Sequence, residues 1–271
     1  MRVRNFIEQI FLAGADHVVA RGRLRPPPGR RLAAARLVAH RGAYDNQAVF
    51  ENTLAAFEAF DRAGGWGIEL DVRWTKDAVP VVFHDPDGRR LFGVPLRIAD
   101  MDLATLQRRL PLVPTLESVV NLFGGRRHLM VEIKCLFQDD PVLSQERLQH
   151  HLGGLQPGRD YHLLSLDDRL LARVAFAPPQ ACLPIARANP SQAAQVAISR
   201  AWGGITGHYA LIRRPHIEAL HHGGFRVGTG FVNSVNCLCR EVLRGVDWLF
   251  SDRPLALQRI LSRAQREGRG G

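Results

Sequence analysis

The sequence predicts a single α/β barrel of the TIM type: eight parallel strands, a β-hairpin return after the second strand, and an N-terminal helical extension. Three observations lead there. The chain has 271 residues, long for most single domains but ordinary for a (β/α)8 barrel. It is 46% hydrophobic and 23% charged, a globular composition with ample apolar material for one core. From Leu37 onward, short apolar runs alternate with helical segments, as in a parallel α/β fold.

Taken in order, residues 5–20 read as a helix, with Ile7, Ile10, Phe11, Gly14 and Val18 on one face. The proline run after Arg25 is expected to end it and to continue extended through residue 31. Residues 1–36 hold eight arginines against Glu8 and Asp16, so this arm carries +6 of the chain's +10. We expect it either to cap the barrel floor or to touch an acidic membrane surface. No nucleic-acid module or interleaved aromatic platform accompanies the arginines, so nucleic acid is not an expected partner. The apolar stretch at 10–15 is cut by Asp16, and no apolar run reaches 18 residues. A cytoplasmic protein is therefore expected, with peripheral membrane contact as the option if the arm does not cap the barrel. Cys135, Cys182, Cys237 and Cys239 fit neither a zinc site nor a disulfide framework and read as reduced thiols.

Nine strands are expected, at 37–40, 67–73, 79–84, 128–134, 161–165, 181–186, 202–207, 225–231 and 246–251. The second and third are separated by only Thr75-Lys76-Asp77-Ala78, too few residues for a parallel crossover. The third must therefore return antiparallel, which leaves eight parallel strands. A two-residue turn would set His84 opposite Glu69 or Asp71, beside two carboxylates that share a face. The domains expected are the arm at 1–36, a barrel at 37–260 and a flexible basic tail at 261–271.

Charge concentrates at three strand ends: His40-Arg41, Glu69-Leu70-Asp71 returning to His84-Asp85, and Glu132-Ile133-Lys134. In a barrel these ends converge on one mouth. Glu69, Asp71 and Glu132 would then cluster, and clustered carboxylates call for a cation; oxygen ligands alone suit Mg²⁺ or Ca²⁺ rather than zinc. The plainer alternative is structural ion pairing, Lys134 with Glu132 or Arg41 with Asp71.

The ordered motifs resemble those of glycerophosphodiester phosphodiesterases: Ala39-His40-Arg41-Gly42, Glu51-Asn52-Thr53, Gly67-Ile68-Glu69-Leu70-Asp71, Pro80 to Asp85, Pro114-Thr115-Leu116-Glu117, Val131-Glu132-Ile133-Lys134 and Ser251-Asp252-Arg253-Pro254. The resemblance implies a TIM barrel that hydrolyses glycerophosphodiesters, with a divalent metal on Glu69, Asp71 and Glu132. It implies general acid and base roles for His40 and His84, and phosphate contacts from Arg41 and Lys134. Where the family commonly carries an aromatic, this chain has Gly230 beside Phe231. Phe50 replaces a usual proline, and Leu91-Phe92-Gly93-Val94 replaces a polar turn. Tyr44, His208 and Phe231 are expected pocket residues. The more apolar rim favours a lysolipid-like substrate, as in lysophospholipase D-like or sphingomyelinase D-like activity. A catalytically silent barrel that binds anionic lipid or phosphate is the third reading.

Overall fold

The structure, a computed structural model, describes residues 18–21, 26–137 and 140–268. All nine expected strands form. We number them, with one short extra hairpin, as β1 (Leu37–His40), β2 (Gly67–Trp74), β3 (Pro80–Val82), β4 (Asp87–Gly88), β5 (Val94–Arg97), β6 (His128–Ile133), β7 (Tyr161–Ser165), β8 (Cys182–Ala186), β9 (Gly204–His208), β10 (Arg226–Gly230) and β11 (Trp248–Ser251). The sheet order runs β1-β11-β10-β9-β8-β7-β6-β2, and β1 pairs with β2 as well. Eight parallel strands therefore close on themselves as a TIM barrel.

Two apolar layers hold it. Alternate strand residues such as Leu70, Val72, Val131 and Leu163 face outward onto the helices, where Phe57, Phe60 and Phe123 are fully buried. The other set points inward, and Val38, Met130, Leu164, Leu183, Trp248 and Phe250 fill the barrel's interior. Helix starts are capped from the sequence: the side chains of Thr53, Asp102, Thr115, Asp140 and Ser234 each accept an amide hydrogen of the first turn.

Three expectations need correction. The hairpin is antiparallel, but its register is Val72↔Val82 and Trp74↔Pro80. The loop holds five residues, Thr75 to Val79, closed by the Thr75 amide donating to the Val79 carbonyl at 3.1 Å. An odd loop shifts the ladder by one, so Phe83 rather than His84 follows in register with Asp71, its amide donating to the Asp71 carbonyl at 2.8 Å. His84 reaches the mouth because the chain leaves the ladder after Val82, where Arg73 Nε donates to the His84 carbonyl at 2.8 Å. Second, the segment after Arg25 is not extended throughout: Gly29–Ala33 is a short helix that buries Leu32. Third, the tail expected to be flexible from residue 261 continues the helix Pro254–Glu267, which buries Leu261 and Ala264. The helix expected at 5–20 lies outside the described residues except at 18–20, which are helical; there the Ala20 carbonyl accepts from Asn236 Nδ2 at 2.7 Å.

Candidate active site

The site is built where β1 ends. Its last residue, His40, leads into a tight turn in which Arg41 (φ 59°) and Gly42 (φ 87°) are both left-handed. A Cβ on Gly42 would lie 2.7 Å from that of Ala56, so both backbone and packing demand glycine. The turn directs the Arg41 amide at Glu69, with 3.0 Å between nitrogen and Oε2. Arg41 costs strain as a left-handed non-glycine residue, a cost usually met at functional sites.

Glu69 and Asp71 on β2 and Glu132 on β6 come together as expected. Asp71 and Glu132 are register partners, and one oxygen from each of the three carboxylates lies within 4.8 Å of the others. All three residues are buried. Lys134 Nζ lies 2.7 Å from Glu132 and 2.9 Å from Asp71, and Arg41 Nε lies 3.2 Å from Asp71. Both ion pairs named as the plainer alternative are thus present, but two cations do not satisfy three carboxylates. Glu69 Oε1 is buried without any hydrogen-bond partner. Burial and the charge of Asp71 push the Glu69 carboxyl up to about 8 and raise Glu132 as well. Asp71 moves the other way: Lys134 and Arg41 outweigh its burial and hold it below the usual carboxylate range. An unpartnered carboxylate oxygen in an oxygen-only cluster fits a hard divalent cation. Glu69, Asp71 and Glu132 are the residues that would hold it.

The histidines flank this cluster, each carrying a carboxylate on Nδ1. His40 Nδ1 is 2.7 Å from Asp252 Oδ1, and its Nε2 is 3.9 Å from Glu69. His84 Nδ1 is 2.6 Å from Asp85 Oδ1. Asp85 is in turn bonded to Arg90, and Arg90 and Arg41 both clamp Glu51. Burial alone would lower both rings. Glu69 and Asp252 outweigh it at His40, whose pKa is raised. At His84, Arg41 and Lys134 add to burial and keep the ring below its ordinary value despite Asp71 and Asp85.

These groups line a pocket of about 240 Å³ with two unlike walls. His40, Arg41, Glu69, His84, Glu132 and Lys134 form one; Leu166, Ile185, Leu211, Phe231 and Phe250 form the other. Phe231 meets the His40 ring edge-on at 5.5 Å and stacks on His208, another lining residue, at 5.4 Å. Tyr44 does not line this pocket; it stands behind Asp252, its hydroxyl donating to Oδ1 at 3.3 Å. A roomier cleft of about 400 Å³ lies at the opposite end of the barrel, lined by Arg36, Trp66, Arg126, Arg127 and His128, and shares none of these residues.

Sequence reasoning assigned no role to several residues that complete the site. Asn52 donates to Asp71 Oδ2 at 2.7 Å, while Glu51 gathers Arg41 and Arg90. Asp85, Asn233 and Asp252 support the histidines. Asp252 follows the last barrel strand, and that position at a strand's C-terminal end was the available signal.

Fold and site together define a TIM-barrel protein with an acidic, cation-ready centre between two carboxylate-bound histidines. Comparison with known proteins agrees with the motifs. Residues 40–151 match the model of the Glycerophosphoryl diester phosphodiesterase family. A glycerophosphodiester phosphodiesterase of Caldanaerobacter subterraneus is 36% identical over 110 residues, 36% of this chain and 44% of that protein. Human glycerophosphodiester phosphodiesterase 1 is 34% identical over 74 residues, 27% of this chain and 22% of that protein. The chain thus spans less than half the length of these curated relatives. In fold the likeness extends further. A putative glycerophosphodiester phosphodiesterase from Galdieria sulphuraria superposes with a TM-score of 0.73 at 20% identity, over 84% of this chain and 98% of that one. An Oleispira antarctica phosphodiesterase, solved with the product sn-glycerol-3-phosphate, gives 0.70 at 23% identity, over 84% and 97%. The resemblance to the glycerophosphodiester phosphodiesterase family therefore holds in sequence over 40–151 and in fold over most of the chain.

Proposed function

We propose that the protein hydrolyses glycerophosphodiesters to glycerol phosphate and an alcohol, using a divalent cation, Mg²⁺ or Ca²⁺, on Glu69, Asp71 and Glu132. The observation that carries this is the buried cluster with its unpartnered Glu69 oxygen, set between two histidines whose Nδ1 atoms are already engaged. When bound, the cation would supply positive charge to the phosphodiester oxygens. Lys134 and Arg41, now paired with the carboxylates, would lend their charge to the equatorial oxygens as negative charge develops. His40 and His84 handle the protons. They share the general acid and base roles, each with Nδ1 engaged by a carboxylate and Nε2 left to pass the proton. The related sequences and the product held by the Oleispira neighbour favour this substrate class.

The apolar wall of Leu166, Ile185, Leu211 and Phe231 favours a second reading, that the substrate carries a hydrocarbon chain, as a lysolipid does. Phe231 is 43% exposed and holds a left-handed backbone (φ 62°), a costly way to display a ring. A membrane contact through the basic residues 1–36 would suit such a substrate. One experiment separates these readings: hydrolysis of glycerophosphocholine and lysophosphatidylcholine with Mg²⁺, with Ca²⁺ and with chelator, by wild type and Glu69→Gln. Turnover of the soluble diester that chelator and Glu69→Gln both abolish is expected. Preference for the lysolipid would select the second reading. Folded, metal-binding protein that turns over neither would favour a silent binding barrel.

A further inference from the structure

Asp252 lies 212 positions from His40 in sequence and, with Asn233, in the part of the chain that the family match does not reach. Its carboxylate is held from both oxygens. Oδ1 accepts from His40 Nδ1 at 2.7 Å and from the Tyr44 hydroxyl at 3.3 Å, and Oδ2 accepts from Asn233 Nδ2 at 2.9 Å. Asn233 is itself fixed, because its Oδ1 accepts from the Asp252 amide at 2.8 Å and from the Ser251 hydroxyl at 3.1 Å. Asn233 and Asp252 therefore lock one another, and the locked carboxylate presents one lone pair to the His40 ring.

A neutral imidazole has two tautomers and two ring orientations, and only some combinations offer the right nitrogen to a substrate. The edge contact of Phe231 restrains the plane of the His40 ring but does not tell its nitrogens apart. An ionised carboxylate at Nδ1 does, because it accepts hydrogen bonds and cannot donate them. With the proton kept on Nδ1, Nε2 is turned toward Glu69 and the cavity. Despite burial, hydrogen bonds from His40, Asn233 and Tyr44 hold the Asp252 carboxyl below the usual carboxylate range, so it stays an acceptor.

We propose that Asp252 is a positioning residue for His40, anchored by Asn233 and Tyr44, so that the last barrel strand orients a histidine of the first. The kinetic consequence rests on the phosphodiesterase reading; the structural one does not. The test uses the full chain with Mg²⁺ and glycerophosphocholine, comparing wild type with Asp252→Asn, Asp252→Glu and Asn233→Ala, together with ¹⁵N spectra of His40 assigned through His40→Gln.

Asp252→Asn is expected to lower kcat by about 10²–10⁴-fold, the scale of a disoriented general acid or base, with KM changed less than about threefold. The His40 resonances should leave the Nδ1–H tautomer. Asp252→Glu should restore part of kcat, and Asn233→Ala should lower it about tenfold, as expected for loss of an anchor one step removed. Wild-type kcat in Asp252→Asn, or a fall in kcat with the His40 tautomer unchanged, would overturn the proposal. Should Asp252→Asn not fold, Asn233→Ala decides by the same two readouts. A wild type that turns over no phosphodiester sinks the functional reading alone, and the His40 tautomer then decides this one.

Discussion

Two pairs of histidines stand at opposite ends of one barrel, and their surroundings have made them different chemical groups. At the mouth, His40 and His84 each hold a carboxylate on Nδ1 and line the cavity that holds the acidic cluster. At the floor, His128 and His162 hold each other, Nε2 to Nδ1 at 2.7 Å, while His128 Nδ1 donates to the Arg159 carbonyl at 2.8 Å. That carbonyl can only accept, so His128 carries its proton on Nδ1 and receives one bond from His162. Trp66 stacks on His128 at 4.6 Å, Trp248 meets His162 at 4.8 Å, and Arg36 and Arg226 cover the two indoles. Burial leads the downward shift of both floor rings, His128 to about 4 and His162 to about 2, with Arg36 and Arg226 adding to it. Burial alone therefore does not distinguish the two pairs. What separates the pairs is a carboxylate on Nδ1, which both mouth rings hold and the floor rings lack at hydrogen-bond distance among the described residues.

The comparison can be broken most forcefully at the mouth. His84→Ala is expected to lower kcat about 10²–10⁴-fold with little change in thermal melting, whereas replacing both floor histidines by leucine should leave kcat within about threefold. Equal losses of activity from both pairs would erase the distinction. Next in size is the response to acid. The floor rings are depressed in the folded state, so between about pH 6.5 and 4 the unfolded chain binds more protons, and stability falls as pH falls. For His128 this amounts to roughly 3 kcal/mol, read from urea unfolding at a series of pH values. The leucine pair should flatten that slope, and a slope unchanged in the variant would assign acid sensitivity to other groups. The smallest effect belongs to the cation over Trp66: Arg36→Ala should cost about 0.5–1 kcal/mol and leave kcat alone.

Much of the site was legible in the sequence. Residues two apart on one strand share a face, and strand ends converge on the mouth, so Glu69, Asp71 and Glu132 could be placed together before any coordinates. His84 was placed on the right grounds of proximity but by the wrong register. Strand alternation depends on whether a loop has an even or odd count, and the five-residue loop closed by the Thr75 and Val79 backbones leaves no decisive mark in its residues. Tyr44, expected to fill the space of the missing family aromatic, instead turns its hydroxyl to Asp252.

By itself the sequence determined the number and order of the barrel strands, the antiparallel return and the acidic cluster. These follow from periodicity and the connection lengths, which are local properties of the chain. Only the tertiary structure decided what each histidine touches. His40 meets Asp252 because β1 pairs with β11 when the barrel closes, and His128 meets His162 because β6 pairs with β7. Such partners are set by closure and register across the whole sheet, and it is those partners that decide where each proton sits.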